Sequence, residues 1–507
     1  MTECFCEDLE RDVLRSYLES IVLTLGKLLS SRNKDTITLA IGAIGSTATA
    51  AKEDFLPYAV NVFQALERLI FIKDSKMYHV RGRAIECISH IALAIGRHNF
   101  TQMPYFERGM ESIAEAETLE NNEVLKEFGF IFISNTVKVL GEDFGHWLHS
   151  LVPVLVANAQ VNEMSKADDD DEDEEEEDEE NVGYLNVNVD EGFIRSKRAA
   201  LGALGDMARF CGEHFYPYVT TVFEGIISQD EGSVFSYHMD IRSESITILP
   251  YLVGCVCGKY GIQAPPKGQS SQLPEEVNRH VLSTMAICLS VLENDADKSC
   301  VSAACMAIEE VLSHVGLTAL ALPLEDKTVS DHLMLHILQI LQEKAPCQSR
   351  LEHYDEEEAD DENHDNTMMD SVCDMIGAIS KYAGPAIVPY FDTFFDLLLR
   401  FCKPARPYTD RSMAIGCMGE VFNEIGEFCG KYLEKVLPVL EQGLREPTEY
   451  VRRNSAFCVG VLVNRSGTVL AVHYPTLLGW LQPVCVLKNN LTGADDYGGA
   501  DADNGKF

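Results

Sequence analysis

The sequence is poor in basic residues and has no long apolar run, and each shortage argues against a class of protein. Its 507 residues include 41 Lys and Arg against 80 Asp and Glu, so the formal net charge is −39. A surface this negative repels nucleic-acid phosphates and anionic membranes, so we expect no direct binding of DNA or RNA. The longest apolar run, residues 246–257, is shorter than the roughly 18 residues of a spanning helix, which argues against membrane insertion.

The sequence also lacks the motifs of disulfide scaffolds, metal centres and common enzymes. Its 16 cysteines include no C-x-x-C pair, as is usual for a reduced intracellular protein. The first fifteen residues contain no apolar stretch typical of a secretory signal. No H-E-x-x-H, G-x-x-x-x-G-K-[ST], G-x-S-x-G or G-x-G-x-x-G occurs. We therefore expect no enzymatic activity, no cofactor and no metal, and a location in the cytosol or the nucleus.

A helical pattern recurs along the chain. An aromatic residue is followed by apolar residues at +4, +5 and +8, positions that share one face of a helix with 3.6 residues per turn. The clearest leading aromatics are Tyr17, Tyr58, Trp147, Tyr218, Tyr390 and Tyr432, while Tyr105 and Tyr474 fit less well. Most intervals between successive leads are 41 to 47 residues long, the period of HEAT and armadillo repeats. We expect these aromatics to be packing residues.

Each of these helices is preceded by another helical stretch rich in small residues, so the repeating unit is a helix pair. Glycines close several of the first helices, as C-terminal caps should; they are Gly141, Gly212, Gly384 and Gly426. The pattern predicts an all-α fold, a HEAT-repeat α-solenoid of about nine to ten helix pairs in a superhelical array. Each pair would bury its apolar face against its neighbours.

Two acidic segments interrupt this pattern. Thirteen consecutive acids fill Asp168–Glu180, eight more lie within residues 355–365, and together they carry about half of the net charge. Like charges at this density repel each other and stay solvated. We therefore predict HEAT repeats over residues 1–166, 184–350 and 367–484, acidic loops at 167–183 and 351–366, and a disordered polar tail at 485–507.

The first candidate binding site for a basic partner is the acidic run itself. Its members are Asp168, Asp169, Asp170, Asp171, Glu172, Asp173, Glu174, Glu175, Glu176, Glu177, Asp178, Glu179 and Glu180. Carboxylates without a fixed loop geometry make weak metal sites, so a metal is a poor interpretation of this run. An electrostatic attraction for basic proteins and a solvated loop without function both remain open.

The second candidate site lies on the second helices, opposite their apolar face. The +2 and +6 positions there point away from the core, and they hold seven acids but no Lys or Arg. The seven are Glu19, Glu107, Glu111, Glu224, Asp392, Asp396 and Glu434. One exposed ion pair contributes only about 0.2–1 kcal/mol, so such a surface would hold a basic peptide through many pairs together. The alternative is that the chain is acidic on every exposed face.

Several stretches occur in an order that resembles a known family. They are Ala40–Tyr58, Arg411–Glu420 and Tyr450–Val461, together with apolar-Arg pairs such as Val80-Arg81 at the start of first helices. In this order they resemble the importin β (karyopherin β) superfamily from about Leu9 to Pro483. The acidic run followed by Gly183-Tyr184 and Phe193, and the A-P-C-Q at residues 345–348 before the second acidic cluster, most resemble the importin-four branch.

The resemblance implies a nuclear transport receptor that shuttles between cytoplasm and nucleus. It would bind basic cargo such as histones or ribosomal proteins, and also the Phe-Gly repeats of nucleoporins. In the family, Ran-GTP releases cargo through N-terminal repeats that have no counterpart here, so we expect the chain to correspond to the central portion of an importin. The resemblance further implies that the second helices line the concave surface. The alternative function is a HEAT scaffold, or a histone or ribosomal-protein chaperone, without a transport role.

Overall fold

The described part of the chain divides into two compact helical units. The computed structural model describes residues 11–119, 122–160, 191–228, 233–348 and 358–486. One unit lies within Met1–Ile248 and the other within Leu249–Ala494. The predicted acidic loop at 167–183 and the tail from residue 487 onwards lie outside the described residues.

In the first unit, first helices rich in small residues alternate with second helices. The first helices are α2 (Lys34–Ala51), α4 (Tyr78–Phe100), α6 (Glu123–Leu140), α8 (Glu191–Phe210) and α10 (Met239–Lys259), the last of which only begins in this unit. The second helices are α1 (Arg11–Leu28), α3 (Leu56–Glu67), α5 (Tyr105–Ala116), α7 (Leu148–Gln160) and α9 (Val219–Ile227).

The second unit repeats this alternation. Its first helices are α12 (Lys298–Val315), α15 (Glu358–Ala383), α17 (Tyr408–Ile425) and α19 (Glu449–Arg465). Its second helices are α11 (Glu275–Asn294), α14 (Val329–Leu341), α16 (Val388–Phe401), α18 (Leu433–Gly443) and α20 (Tyr474–Val486). Over the described ranges the two units together contain nine first and ten second helices, which agrees with the predicted all-α array of helix pairs.

The second unit also contains a departure from the helical pattern. The short helix α13 (Thr318–Ala321) is followed by a minimal antiparallel hairpin of β1 (Pro323–Leu324) and β2 (Lys327–Thr328). The hairpin leads directly into α14, whose start is fixed by a capping box between Thr328 and Asp331. It is too short to give the alternating pattern from which strands are predicted.

Glycine caps close the first helices as predicted. Gly141, Gly212, Gly384 and Gly426 all have a positive φ, between 56° and 62°, which glycine adopts without the steric cost of a side chain. Beyond each cap a short 3-10 turn leads to the second helix, as in Gly426–Tyr432 before α18. This turn lets the chain reverse direction within a few residues.

The apolar core follows the predicted positions, but the leading aromatics do not all belong to it. Tyr105 and Tyr432 are buried, whereas Tyr17 and Tyr474 are 58% and 49% exposed, so the packing role predicted for these last two is wrong. The residue three positions before the lead is buried instead in most repeats: Leu14, Phe55, Phe144, Phe215, Ile387 and Cys429; before Tyr474 it is Leu470, four positions earlier. Most of these residues lie in the 3-10 turn, which directs them into the core.

The apolar-Arg pairs at the start of first helices hold neighbouring repeats together. The guanidinium of Arg81 is fully buried and donates to the backbone oxygens of Ile72 at 3.1 Å and Ser112 at 2.7 Å. Arg452 donates in a similar way to the backbone oxygen of Glu446, at 2.7 Å. Ile72 and Glu446 lie in the segment that precedes the first helix, whereas Ser112 lies on the following second helix α5, so the arginines satisfy backbone acceptors on neighbouring elements.

The second acidic segment, predicted as a loop over residues 351–366, is helical in its second half. Helix α15 begins at Glu358, while residues 351–357 lie outside the described part of the chain. Acidic residues in the first turns of a helix interact favourably with its macrodipole, which explains why this stretch continues as helix. Among the described residues, no helix is long and apolar enough to cross a membrane.

Candidate functional site

The seven second-helix acids all lie on solvent-exposed positions, as the periodicity predicts. Glu19 lies on α1, Glu107 and Glu111 on α5, Glu224 on α9, Asp392 and Asp396 on α16, and Glu434 on α18. They are spread over five helices, and the two units each carry part of the set. Exposure makes them accessible to a partner, but their charges are not all free.

Lysines of the next second helix and its turn pair with the acids on α16. Lys431 Nζ lies 2.5 Å from Asp392 Oδ2, and Lys435 Nζ lies 2.6 Å from Asp396 Oδ1. The hydroxyl of Tyr432 also donates to Asp392, at 2.8 Å. Bonding to Lys431 lowers the pKa of Asp392. Sequence reasoning missed these lysines because they occupy the positions just before and three after the leading Tyr432.

The second helix α5 also carries mixed charge. Arg108 pairs with Glu111 at 2.5 Å and with Glu67, of the preceding second helix, at 2.9 Å. Its guanidinium also lies 4.5 Å from the centre of the Phe71 ring. The second-helix surface is therefore less uniformly acidic than the +2 and +6 positions alone predict.

The first helices pack against each other more closely than the second helices do. Within the first unit α4 packs along α6, and α6 along α8, and in the second unit α17 packs along α19, whereas successive second helices meet at only a few residues. In a stack of helix pairs the more closely packed layer lies on the inner side of any bend. Within each unit this geometry favours the first helices as the inner layer, in contrast to the expectation that the second helices line a concave surface.

Glycines at the contacts between first helices explain this close approach. A Cβ on Gly82 of α4 would lie 2.1 Å from the Phe128 ring of α6. A Cβ on Gly377 of α15 would lie 2.2 Å from Glu420 Oε2 of α17. Since real Cβ atoms do not come this close, larger residues at these positions would separate the helices. The small residues of the first helices thus allow the tight layer.

In the first unit, the acids on the accessible face of the first helices have cationic partners. The pairs are Glu86 with Arg83 at 2.7 Å, Glu127 with Arg195 at 3.2 Å, Asp206 with Lys138 at 3.0 Å, and Glu244 with Arg198 at 3.6 Å. Glu244 keeps a raised pKa because burial outweighs the effect of Arg198. The first-helix face of this unit is therefore close to charge balance.

In the second unit, four acids on the same layer form no ion pair with a described residue. We call them the carboxylate stripe: Glu309 of α12, Asp370 and Asp374 of α15, and Glu420 of α17. All four are exposed to solvent, yet the neighbouring helices displace part of their hydration. This partial burial raises the pKa of Asp370 to about 6 and that of Glu420 to about 7.

Mutual repulsion adds to the effect of burial. The charge of Asp374 raises the pKa of Glu309, Asp370 and Glu420 alike, so Asp374 is the electrostatic centre of the stripe. Lys381 opposes the shift at Glu309, but its ammonium lies 5.6 Å from the Tyr382 ring centre and forms no ion pair with the stripe. A cation that binds between close carboxylates reduces their mutual repulsion and stabilises their ionised form. The stripe is therefore suited to bind Lys or Arg side chains.

One further cluster was not anticipated from the sequence. Glu325 and Asp326 in the turn of the hairpin, and His332 on α14, place possible metal-ligand atoms within 4.8 Å of one another. Both acids are exposed, and exposed acids often group in this way without a metal. The cysteines give no such group: all those described except Cys485 are buried free thiols.

The chain is similar in sequence to importins along almost its whole length. No protein-family model matches it. It is 24% identical to the probable importin subunit beta-4 of Schizosaccharomyces pombe, over 95% of this chain and 46% of that protein. It is also 24% identical to importin-4 of Homo sapiens, over 90% of this chain and 43% of that protein. The resemblance to the importin β superfamily, and to its importin-four branch, is confirmed.

Solved karyopherin structures share the fold of this importin-like chain. Kap121p superposes with a TM-score of 0.62 at 17% identity, covering 97% of this chain and 45% of Kap121p. Kap121p bound to Nup53p superposes with a TM-score of 0.60 at 18% identity, covering 96% and 44%. These matches confirm the all-α, HEAT-like solenoid. The chain spans about half the length of the curated relatives it matches.

Of the two predicted sites of this importin-like chain, only the second-helix acids lie within the described residues. The acidic run Asp168–Glu180 lies outside the described residues. The seven second-helix acids are exposed, and Glu111, Asp392 and Asp396 are already paired. The carboxylate stripe was missed because the sequence argument considered only the second helices. A search for acids on the first helices at a fixed distance before the closing glycine would have found Glu420.

Proposed function

We propose that this chain acts as part of a nuclear transport receptor that binds basic proteins and shuttles between cytoplasm and nucleus. The observation that carries the proposal is its similarity to importins over 90–95% of its length. Kap121p, whose fold it shares, has been crystallised with Ste12p, Pho4p and Nup53p. Similar partners are therefore a reasonable choice for the first tests on this chain.

The carboxylate stripe is the described surface that best suits a basic cargo such as a histone or a ribosomal protein. Its four acids lack a described cation within ion-pair distance, and a bound Lys or Arg would relieve their repulsion. Each contact would contribute about 0.2–1 kcal/mol because the side chains are exposed, so affinity depends on several contacts at once. We propose the run Asp168–Glu180 and the unpaired second-helix acids as further contacts for the same cargo.

The remaining parts of the proposal rest on the family resemblance. They are binding to Phe-Gly nucleoporins and release of cargo by Ran-GTP. None of these steps requires catalysis. A scaffold without a transport role would bind folded subunits with little dependence on salt, whereas ion pairs to basic cargo weaken as salt screens them.

Retention on immobilised Phe-Gly nucleoporin repeats tests the transport function. At high salt, where bulk charge effects are screened, we expect retention on the wild-type repeats and none on repeats whose Phe residues are changed to Ser. Equal behaviour on both resins would contradict the transport role and favour a scaffold or a chaperone.

A second experiment tests the acidic run as a cargo contact. Replacing Asp168–Glu180 by thirteen Gly and Ser residues keeps the chain length and removes thirteen charges. We expect weaker binding of a core histone and a flatter dependence of its Kd on salt. An unchanged Kd and an unchanged salt slope would exclude this run from cargo binding.

A further inference from the structure

A connecting segment of the second unit lies across the closing ends of three first helices. Residues 260–274, which join α10 to α11 and which we call the strap, contact α12, α15 and α17 in turn. Pro265 lies against Gly316, with its Cδ 3.1 Å from the position of a Cβ there. The backbone N–H of Gly268 donates to the backbone oxygen of Tyr382, at 2.7 Å. Lys267 forms an ion pair with Glu424.

The strap lysine reaches the end of the carboxylate stripe. Glu424 follows Glu420 on α17 by four residues, so their side chains share one face of the helix. The two are close enough for the charge of Glu424 to raise the pKa of Glu420. Lys267 therefore neutralises the acid next to the stripe and leaves the four stripe carboxylates without a described ion-pair partner.

The strap contacts this surface in the manner of a bound peptide. It contains no helix or strand, and the prolines at 265 and 266 restrict its backbone. Pro266 to Gln269 form a turn in which the N–H of Gln269 donates to the backbone oxygen of Pro266 at 3.0 Å and Gly268 has a positive φ of 77°. It uses one backbone N–H to bind a helix-terminal carbonyl and one ammonium to bind a carboxylate. The aliphatic part of Lys267 lies over Gly384, with Cδ 3.0 Å from the position of a Cβ there. A lysine-bearing turn in an unstructured segment of another protein could make the same three contacts.

We propose that the strap is an internal ligand that competes with basic cargo for Glu424 at the end of the carboxylate stripe. This inference rests on the proposed binding of basic cargo. The partner that fits the surface is an unstructured segment with a turn that places a lysine directly before a free backbone N–H, as in Lys267-Gly268. Cargo of this kind displaces the Lys267 side chain and gains a fifth carboxylate.

The exposure of the Lys267–Glu424 pair makes displacement feasible. The lysine side chain is 46% exposed and the glutamate 17%, so water and salt weaken the contact. A pair of this kind changes a competing affinity by a few-fold and does not block binding. The strap therefore selects for cargo with enough lysines to outcompete one internal lysine.

A double-mutant cycle on peptide affinity tests the competition. The probe is a fluorescent, unstructured peptide of Lys, Gly and Ser, titrated into the full chain at low salt. Lys267→Gln should bind it about two- to fivefold more tightly than the control Lys403→Gln. Lys403 is exposed in the same unit, so both variants lose one positive charge. The advantage of Lys267→Gln should disappear when Glu424→Gln is added, because the freed carboxylate is then absent.

The outcomes separate this inference from the proposed function. Equal affinities for Lys267→Gln and Lys403→Gln would overturn the internal ligand while leaving cargo binding intact. Absence of peptide binding in every variant would overturn both. Hydrogen exchange gives a second measurement on the unmodified chain: saturating peptide should speed exchange of the Gly268 amide, and unchanged protection would show that the strap is not displaced.

Discussion

The two units use the same helix pairs but present different charge on their first helices. Asp206 in the first unit and Glu420 in the second each lie six residues before a closing glycine, Gly212 or Gly426. Asp206 accepts a hydrogen bond from Ser134 Oγ at 2.5 Å and pairs with Lys138 at 3.0 Å. Glu420 has neither kind of partner among the described residues.

The difference originates on the preceding first helix. Where the first unit has Ser134, the second has Gly377 at the same distance before its closing glycine, and glycine has no side chain to donate. Lys381 occupies the position of Lys138, but its ammonium lies beside the ring of Tyr382. One scaffold thus provides a neutral surface or an acidic one, depending on two or three side chains per repeat. This separation of fold from charge is why function has to be argued from the site.

The largest expected effect is on stability, and it tests the close packing of the first helices on which both units depend. Gly82→Ala on α4 would bring a Cβ into the Phe128 ring, and overpacking of this kind costs about 1–3 kcal/mol of the free energy of unfolding. Gly460→Ala on α19 meets nothing within 4 Å, and should stabilise by about 0.5–1 kcal/mol through helix propensity alone. Urea denaturation of both variants checks the difference. Equal changes would contradict close packing of the first-helix layer.

The pH dependence of peptide binding tests whether the stripe carboxylates of the second unit bind cations. Folding raises the pKa of Asp370 to about 6 and of Glu420 to about 7, so the folded chain takes up protons that the unfolded chain releases. These two groups therefore favour the folded state more as pH falls from about 8 towards 5. Affinity for a lysine-rich peptide should change in the opposite direction and fall by roughly tenfold over this range, because two carboxylates become neutral.

The control for this prediction is the double variant Asp370→Asn and Glu420→Gln. Fluorescence anisotropy at several pH values should give it a flatter curve than the wild type, since the other titrating groups of the chain are unchanged. A wild-type pH dependence that persists fully in the double variant would assign it to other groups.

The smallest expected effect comes from a variant that removes the cationic partner of a first-unit acid, so that this acid resembles Glu420 of the second unit. Lys138→Met leaves Asp206 without its cation, and should raise affinity for the lysine-rich peptide about two- to fivefold relative to Lys34→Met. Lys34 is exposed on α2, so the loss of net positive charge is matched. If both variants gain equally, net charge alone accounts for binding and the pairing of Asp206 has no role.

The repeat and most of the buried core positions could be predicted from the sequence. The period of 41 to 47 residues and the +4, +5 and +8 positions follow from helix geometry, which is local. Buried residues such as Phe63, Leu66 and Leu440 occupy the predicted positions. The burial of Phe55, Phe144 and Phe215 was missed because a 3-10 turn changes the phase of the helix before the leading aromatic.

The charge pairs could not be predicted, because they depend on the register between helices. Lys435 meets Asp396 across 39 residues of sequence, and no spacing rule within one helix indicates that contact. The inner position of the first helices also depends on packing between repeats, for which Gly82 and Gly377 gave the sequence signal.

The most direct test of the account compares two variants with the same change in charge. The stripe variant carries Glu309→Gln, Asp370→Asn, Asp374→Asn and Glu420→Gln. The second-helix variant carries Glu19→Gln, Glu107→Gln, Glu224→Gln and Glu434→Gln, four exposed acids without a described ion pair.

The measurement is the Kd of each variant for a core histone at physiological salt. Four lost contacts of about 0.2–1 kcal/mol each predict a loss of roughly fourfold to several hundredfold for the stripe variant. The second-helix variant should lose less than about threefold, because its four acids are spread over four helices and act only as weak, screened secondary contacts. An equal loss in both, or a larger loss in the second-helix variant, would contradict the assignment of cargo binding to the carboxylate stripe.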